Sequence, residues 1–315
     1  HANLSSSLGH ICGLQVYYPS QYMVMDPVSQ ANLEIIEPLR GTDRSATLLG
    51  VLDRTMTSMG SRTVRNWLLQ PLLIPEDIRE RLDAVEEFYE QREILADCRE
   101  ALKGIRDIQR IISRVTCGTI NARDLVSLRE SLKKVPLLEQ KLEGLESGIW
   151  SKLGDNLQVP PRLTEKLERA LVDEPPIPLK EGGIIKEGYN RELDDLRKLS
   201  REGKSWISNY QEEEIKRTGI KSLKVRHNKV FGYYIEVTKP NLSLVPDNYI
   251  RKQTLVNSER FITEELKDYE NKVLGSQEKA AALEYSLFTE LRSDVEKEAA
   301  SIQTCARALG IIDAL

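Results

Sequence analysis

Apolar residues recur at helical spacing along much of this chain. Pro75, at a first helical position, opens a run of this kind. Further helical runs are predicted from Arg106 to Val115 and from Ala122 to Leu132, with breaks near Gly118 and Pro136. The first half of the chain therefore predicts a bundle of several helices.

Two shorter helical patterns precede the run that opens at Pro75. The first begins at Ser45 and continues to a break at Gly60-Ser61-Arg62, and the second covers Thr63 to Leu69. Within the second pattern, residues 67 and 68 (Trp67 and Leu68) are expected to belong to the core rather than to a contact surface.

Pro175, Pro176 and Pro178 exclude a helix interior and form the clearest boundary in the chain. Beyond it, Tyr189 to Arg217 predicts a helix of about 29 residues, about 43 Å long at ~1.5 Å per residue. A second long helix is predicted after residue 260. Both carry an apolar seam with steps of three and four residues, the spacing of a coiled coil. The seam positions are Leu193, Leu196, Ser200, Gly203, Ile207 and Tyr210 in the first helix, and Ile262, Leu266, Tyr269, Val273, Ser276, Ala280, Leu283 and Leu287 in the second.

Between the two long helices the pattern switches to a period of two, which is typical of β-strands. Residues 233–238 alternate between two faces, Leu223 to Arg226 is predicted to pair with them across a His227-Asn228-Lys229 turn, and Ile250 to Val256 is predicted to add a third strand. The expected fold class is mainly α, a multi-helix bundle with long antiparallel helices that carry a small antiparallel β-sheet at their tip.

Positive charge is concentrated in this predicted sheet. Residues 221–260 contain eight Lys or Arg against three acids, a balance of +5, whereas the whole chain has a net charge of −4, so the remainder sums to −9. A basic region in an otherwise acidic protein indicates a polyanionic partner, although a Lys/Arg cluster is also compatible with a solvated face. Asn228, Asn257 and Ser258 add neutral donors for phosphate oxygens, and the start of the last helix near Asn257 is a predicted anion contact. Of Tyr233 and Tyr234, which could stack on bases, alternation in a strand places one in the core.

Length and composition narrow the class of protein. The 315 residues predict about two domains at ~150 residues each. Four widely spaced cysteines without a Cys-x-x-Cys pair predict a reduced, intracellular protein without a zinc site. No apolar run approaches the ~20 residues that cross a bilayer, and residues 1–30 lack the features of a secretory signal, so a soluble protein is expected. Since the chain begins at His1 and stops at Leu315 inside a helical pattern, we expect an excised piece of a longer protein.

Two glycine-containing segments are candidates for nucleotide sites. Gly203-Lys204-Ser205 resembles the end of a phosphate-binding loop, but Lys198 occupies the position of the first glycine and a charged helix precedes it. A helix irregularity is the favoured interpretation, and an ATP-binding enzyme is a rival hypothesis that requires Lys204. Gly182-Gly183 and Gly188 are interpreted as a turn that begins the long helix. No arrangement of His, Cys, Ser or acidic residues indicates a metal or catalytic site, so this chain is predicted not to be an enzyme.

Two groups of motifs resemble the MutS family of bacterial mismatch-repair proteins. Leu48–Thr55 (LLGVLDRT) and Met59–Leu72 (MGSRTVRNWLLQPL) resemble its lever region. The segments that resemble its clamp are Gly182–Ile185 (GGII), Gly188–Asp194 (GYNRELD), Phe231–Val237 (FGYYIEV) and Gln253–Phe261 (QTLVNSERF). Their order and spacing match over essentially residues 30–315.

The resemblance implies a lever domain that is split in sequence, with a clamp inserted between its halves. Residues 1–30 are then the tail of a connector domain, 31–180 the first part of the lever, 181–270 the clamp, and 271–315 the returning lever helix. In such proteins two subunits close around duplex DNA, and the clamps grip its backbone while an N-terminal domain reads the mismatch. A C-terminal ATPase domain, which uses ATP and Mg, drives conversion to a sliding clamp.

Both the mismatch-reading and ATPase domains are expected to lie outside this chain, so no cofactor is expected within it. The implied partners are double-stranded DNA, a second copy in a homodimer and the mismatch-repair protein MutL, in the cytoplasm of a bacterium at the nucleoid. Asp53 to Leu72 is expected to be a junction that transmits the ATPase state to the clamp.

Six residues are carried over from the resemblance as contacts to the DNA backbone. They are Asn228 and Lys229 in the hairpin turn, Arg251 and Lys252 on the third strand, and Asn257 and Arg260 at the start of the last helix. The alternative function is a helical coiled-coil scaffold that binds another protein and not DNA. That alternative predicts no salt-dependent affinity for a duplex.

Overall fold

The computed structural model of the chain describes residues 19–176, 178, 182–228 and 232–315. The first 18 residues, which carry most of the expected connector tail, and Lys229 lie outside the described residues. The described part divides into two compact units. One contains the residues up to 176 together with Phe288–Leu315, and the other contains those between Pro178 and Leu287.

Helices dominate the described residues, and the expected fold class is confirmed. The helices are α1 (Pro27–Asn32), α2 (Leu48–Leu52), α3 (Ser58–Leu69), α4 (Pro75–Glu90), α5 (Arg92–Leu102), α6 (Ile108–Thr116), α7 (Ala122–Leu142), α8 (Gly148–Asp155), α9 (Pro161–Ala170), α10 (Arg191–Thr218), α11 (Glu264–Lys297) and α12 (Ala299–Ala314). The strands are β1 (Lys224–Asn228), β2 (Gly232–Thr238), β3 (Ile250–Thr254) and β4 (Ser258–Ile262).

The core of the first unit, which we call the helical unit, is built around α7 and α12. Helix α12 packs on α3 and α6, and α7 packs on α5 and α9. Cys98 and Cys305 are buried in this unit as free thiols. Burial raises the pKa of Cys98 to about 11 and that of Cys305 to about 12, so both remain neutral thiols near neutral pH.

The predicted break at Gly60-Ser61-Arg62 is wrong, because these residues lie inside α3. The chain instead leaves helical geometry before Thr57, whose hydroxyl accepts a hydrogen bond from the Gly60 N–H at 3.0 Å and caps α3. Asp313 of α12 accepts hydrogen bonds from the backbone N–H groups of Met56 and Thr57, both at 2.7 Å, and from the Thr57 hydroxyl at 2.6 Å. This long-range carboxylate fixes the start of α3.

The predicted break near Pro136 is also wrong, since α7 continues through it to Leu142. A proline inside a helix removes one backbone hydrogen bond. Leu132, Val135 and Leu138 are nevertheless buried before and after it, so the same apolar stripe packs on both sides of the proline. The burial of that stripe outweighs the missing bond.

The second unit, which we call the sheet unit, contains α10, the start of α11 and the four strands. The two long helices run antiparallel: the Arg197 guanidinium contacts Glu284, the Trp206 ring stacks on Tyr269 with centroids 3.6 Å apart, and the Tyr210 hydroxyl lies 2.6 Å from that of Thr263. The predicted turn at Gly188 is confirmed, with a positive φ of 86° just before α10. The backbone of residues 203–205 is helical within α10 and forms no loop after a strand.

A buried carboxylate fastens the segment before α10. Glu284 on α11 is 2% exposed and accepts hydrogen bonds from the backbone N–H groups of Ile184 and Ile185 and from Arg197 at 2.9 Å. Gly182 has a φ of +75°, and a Cβ there would lie 2.8 Å from a Glu284 oxygen. The glycine therefore allows both the backbone turn and the close approach of the carboxylate.

The sheet has four antiparallel strands in the order β1-β2-β4-β3, not three. The predicted third strand ends at Thr254, and a turn in which the Leu255 N–H donates to the Ser258 carbonyl at 2.8 Å leads into β4. Ile262, predicted as the first seam residue of the last helix, lies in β4. The helix begins only after Thr263, whose hydroxyl accepts from the Leu266 N–H and caps it.

Candidate nucleic-acid interface

The register of the sheet separates an apolar inner face from a charged outer face. Ile235 pairs with Phe261 and, with Val237, joins the core formed with Leu266 and Tyr210 of the long helices. Residues on the outer face alternate with these in sequence. The outer face consists of Lys224, Arg226, Tyr234, Glu236, Gln253 and Arg260.

One carboxylate lies among three cations on the outer face. Lys224 pairs with Glu236 across β1 and β2, and Glu236 pairs with Arg260 across β2 and β4. The Arg260 Nε lies 3.7 Å from Glu236, and the Arg226 Nη1 lies 4.0 Å from it. The outer face therefore carries a balance of +2, with Lys224 and Arg226 exposed to solvent.

Arg260 is held in place on the outer face. Its guanidinium lies 4.4 Å from the centroid of the Tyr234 ring, and its Nη1 donates to the Gln253 Oε1 at 2.7 Å. Stacking on an aromatic ring and a side-chain hydrogen bond both reduce the rotamer freedom of an arginine. Tyr234 is buried beneath it, and Tyr233 is half-buried where it packs against the core.

Arg251 and Lys252 lie on β3, the edge strand, as predicted. Arg251 is 63% exposed at its side chain, and its Nε lies 2.9 Å from the Glu259 Oε2, an ion pair whose angle does not suit a hydrogen bond. Lys252 is exposed at a β-bulge between Arg251 and Gln253. Of the two, Lys252 has no acidic partner within 4.0 Å in the part of the chain that the structure describes.

The structure describes five of the six predicted residues and does not bring these five together. Asn228 ends β1 opposite Gly232, whereas Asn257 lies in the turn before β4, beside the pair formed by Thr238 and Ser258. Gly232 and Thr238 are six residues apart on β2, so the two asparagines are separated by about 20 Å along the sheet at ~3.3 Å per residue. Alternation predicted strands here, but only the observed register shows that Asn228 and Asn257 lie at opposite ends of the sheet.

The predicted position of Asn257 and Arg260 at a helix start is wrong. Asn257 is exposed in the β3–β4 turn, where its carbonyl accepts from the Lys239 N–H at 3.1 Å, and Arg260 lies in the middle of β4. The segment is rich in polar residues, but it forms a hairpin with β3 and also pairs with β2. Long-range pairing decides the structure of this segment rather than its local sequence.

Sequence reasoning did not single out Lys224 and Arg226, which share the outer face with Arg260. The signal was present in the alternation of β1 and β2, because residues 224 and 226 fall on the same side as residues 234 and 236. Lys221 and Lys239 are exposed as well. These four cations extend the basic surface beyond the six predicted residues.

The helix side of the sheet unit has the opposite charge. A groove beside α10 and the start of α11 is lined by six carboxylates and two cations. The lining acids are Glu213, Glu214, Asp247, Glu264, Glu265 and Asp268, and the cations are Arg217 and Lys272. Burial opposes ionisation of Glu214, but hydrogen bonds from Arg217 and Tyr249 outweigh it, so the pKa of this carboxyl lies below its ordinary value. A polyanion would be repelled here and attracted to the outer face.

Gly232, at the start of β2, combines a left-handed backbone with a close approach to the Glu270 carboxylate. Gly232 has a φ of +71°, and a Cβ there would overlap the Glu270 carboxylate, which accepts from the Tyr233 N–H at 3.3 Å. Gly232→Ala is expected to destabilise the sheet unit by about 1–2 kcal/mol for the left-handed backbone alone, and by more for the displaced carboxylate. Urea denaturation followed by circular dichroism would measure it.

Gly219→Ala is the matched control for that substitution. Gly219 has a φ of +72° but no atom within 4 Å of an added Cβ, so it should show the backbone effect alone. If Gly232→Ala and Gly219→Ala destabilise the sheet unit equally, the close approach of Glu270 contributes nothing to the effect of Gly232→Ala. Adding Glu270→Ala to Gly232→Ala should then restore nothing.

No group of three or more His, Cys, Asp or Glu side chains with metal-binding geometry occurs within residues 19–176, 178, 182–228 and 232–315. In the same residues, no helix has the length and apolar character of a membrane span. Fold and surface together define a mainly helical protein with an inserted sheet unit whose outer face is cationic.

Comparison with known proteins agrees with this architecture. Residues 28–315 match the model of the family described as MutS domain III, and the chain belongs to that family. It is 49% identical over 310 residues to the DNA mismatch repair protein MutS of Symbiobacterium thermophilum, covering 98% of this chain and 35% of the relative. The MutS proteins of Acetivibrio thermocellus and Methanothrix thermoacetophila are 48% and 47% identical, again over 98% of this chain and 36% of each relative. The chain thus spans about a third of the length of the curated relatives that it matches.

Proposed function

We propose that this chain is the lever and clamp region of a MutS-type DNA mismatch-repair protein, and that its sheet unit grips duplex DNA through the phosphate backbone. The observation that carries the proposal is the cationic outer face in a chain whose net charge is −4. Relatives named DNA mismatch repair protein supply the identity of the polyanion. In this proposal the helical unit corresponds to the lever and the sheet unit corresponds to the clamp.

The outer face suits backbone contact better than reading of bases. Its exposed groups are flexible cations, which bind phosphates without selecting a sequence. Tyr234 is buried and Tyr233 is half-buried against the core, so among the described residues of these strands neither tyrosine offers a fully exposed ring to an unpaired base. Recognition of the mismatch, ATP hydrolysis with Mg, dimerisation and the contact with MutL would then depend on other parts of the longer protein.

The predicted contacts differ in what they would contribute. Lys224, Arg226 and Lys252 are exposed and free to reorient towards phosphates. Arg260 is stacked and hydrogen-bonded, so it would offer a fixed donor and also stabilise the sheet. Asn257, about 20 Å from Asn228 along the sheet, would meet a different stretch of backbone, and Lys229 is proposed beside Asn228 from the resemblance.

The test is a triple variant, Lys224→Gln, Arg226→Gln and Lys252→Gln. Fluorescence anisotropy of matched and mismatched duplexes, titrated over a range of salt concentrations, should show weaker binding to both. The slope of log K against log salt should fall by roughly 0.9 for each phosphate that the variant no longer neutralises, or by up to about 3 in total. Equal effects on matched and mismatched DNA are expected because these groups do not reach base edges.

A matched control removes three exposed cations from the helical unit, at Arg79, Arg162 and Arg169, each changed to Gln. This control has the same net charge as the triple variant. A difference in DNA binding between the two variants therefore reports the outer face and not the overall charge of the chain. An unchanged salt slope in the triple variant, or an equal change in both variants, would remove the outer face from the DNA interface. Absence of salt-dependent binding in the wild-type chain would favour the protein-interaction scaffold.

A further inference from the structure

A second cationic site lies in the helical unit, remote in sequence from the strands. A cavity of about 540 Å³ opens between α3, α4 and α12 and is lined by three arginines, Arg62, Arg81 and Arg307. Small-molecule sites typically have volumes of ~300–1,000 Å³. Trp67, expected to be a core residue, is only half-buried and forms part of this cavity.

Arg62 already has its counter-ion. Its two terminal nitrogens donate to the Asp107 carboxylate at 2.6 and 2.8 Å, and Nη2 also donates to the Gln109 Oε1 at 2.8 Å. Burial opposes ionisation of Asp107, but the bonds from Arg62 outweigh it and hold the pKa of the carboxyl below its ordinary value. This pair therefore adds no net charge to the cavity.

Arg81 has no such partner. Its guanidinium lies 3.9 Å from the centroid of the Trp67 ring, and burial lowers its pKa, an effect that attraction from Tyr22 and Asp77 does not cancel. Within the described part of the chain, no carboxylate lies within 4.0 Å of it. Arg307 is exposed, and its Nη2 donates to the neutral hydroxyl of Thr304 at 3.0 Å. Among the described residues, neither Arg81 nor Arg307 has a carboxylate within 4.0 Å, so the cavity holds two positive charges without ion-pair partners there.

A stacked arginine is often purely structural, and Trp67 alone would account for the position of Arg81. Stacking does not explain why the half-buried guanidinium of Arg81 lacks a counter-ion in a cavity that also contains Arg307. Leaving a partly desolvated charge without a counter-ion is unfavourable, and an anion in the cavity would relieve it.

We propose that this cavity binds a dianionic phosphate group, either inorganic phosphate or a phosphate monoester. The charge of about −1.5 to −2 on such a group near neutral pH suits the two unpaired guanidinium groups, whereas a carboxylate would neutralise only one. Guanidinium forks bind phosphate oxygens bidentately. The side-chain amides of Asn66 and Gln70, which also line the cavity, supply neutral donors.

The test follows the indole of Trp67 by ¹⁹F NMR in the 315-residue chain labelled with 5-fluorotryptophan. The chain contains three tryptophans. Titration with inorganic phosphate at constant ionic strength should shift the Trp67 resonance saturably and leave those of Trp150 and Trp206 in place. Trp67→Phe assigns the resonance. With a dissociation constant on the order of 1 mM, about 10 mM phosphate should also lower the unfolding equilibrium constant roughly tenfold.

Arg81→Gln and Arg307→Gln should each weaken the phosphate response at least tenfold. Arg79→Gln, an exposed position on the same helix as Arg81, is the matched control and should leave it unchanged. Arg307 is exposed, so its variant keeps the test valid if Arg81→Gln does not fold. Repeating the titration with a nucleoside monophosphate distinguishes the two sources: tighter binding than inorganic phosphate assigns a monoester, and equal binding assigns the free anion.

Three results would overturn the proposal. These are a Trp67 resonance that does not move up to ~50 mM phosphate, a response that persists in both arginine variants, and an equal response to acetate at the same ionic strength. Because none of these readouts involves DNA, they are independent of the outcome for the sheet unit.

Discussion

Glu284→Ala is expected to lower the free energy of unfolding of the sheet unit by about 3–5 kcal/mol, the usual loss when one partner of a buried ion pair is removed. The substitution leaves the N–H groups of Ile184 and Ile185 buried without an acceptor and removes the nearer carboxylate of Arg197, which keeps only Asp194 at 3.9 Å. Each unpaired buried donor is unfavourable by about 1–3 kcal/mol. Urea denaturation followed by the fluorescence of Trp206, which belongs to the same unit, measures the change.

Two further variants separate the geometry of this site from its charge. Glu284→Gln keeps an oxygen that can accept from the two N–H groups, so it should be less destabilising than alanine. Glu278→Ala removes an exposed carboxylate from the same helix and should change stability by no more than about 0.5 kcal/mol. If Glu284→Ala matches Glu278→Ala, the carboxylate does not fasten the segment before α10.

Asp313→Ala is expected to destabilise the helical unit by about 3 kcal/mol. The carboxylate accepts three hydrogen bonds at 2.6 to 2.7 Å from Met56 and Thr57, and bonds to a charged acceptor are worth about 1.5–3 kcal/mol each before relaxation and water replace part of them. Its loss leaves the N-terminus of α3 without this anionic cap. Thermal or urea unfolding followed by the fluorescence of Trp67 on α3 reports it.

The control for Asp313 is Glu296→Ala, which removes an exposed carboxylate near the end of α11. Gly60→Ala disturbs the same contact, because the added Cβ would overlap the Asp313 carboxylate. Combining Gly60→Ala with Asp313→Ala should cause less loss than the sum of the two single changes, since each disturbs the same contact. Additive losses would show that Asp313 and the start of α3 are not coupled.

Local signals predicted the long elements correctly. The helical pattern from Tyr189 to Arg217 predicts α10 within two residues at its start and one at its end, and Pro75 marks the first residue of α4. In these segments the helical period and the residues at the helix boundaries agree, so no distant contact is needed to choose the structure.

The predictions were wrong where contacts between residues distant in sequence determine the secondary structure. The start of α3 depends on Asp313, which is 256 residues from Thr57 in sequence. Helix α7 passes through Pro136 because its buried stripe continues beyond the proline. The strand β4 exists because it pairs with two neighbours, and the sequence of residues 258–262 alone does not reveal them.

The sequence predicted which segment contains the candidate site, but not which side chains share one face of the sheet. The excess of positive charge marked residues 221–260 as one region, because a charge balance needs no knowledge of the fold. The register then determines that Lys224 and Arg226 share a face with Arg260 and that Asn228 and Asn257 do not share an end. Such assignments require the pairing of strands, which alternation within a single strand does not supply.

The bulge at Lys252 also affects how copies of this protein meet one another. An exposed edge strand is a template for pairing with a second molecule, and bulges and lysines are the usual means by which natural sheets prevent it. Both edges here are protected by like charges, Lys224 and Arg226 on β1 and Arg251 and Lys252 on β3. Two copies of this protein would thus resist joining edge to edge, because the cations on both edges would repel one another and keep neighbouring sheets from aggregating.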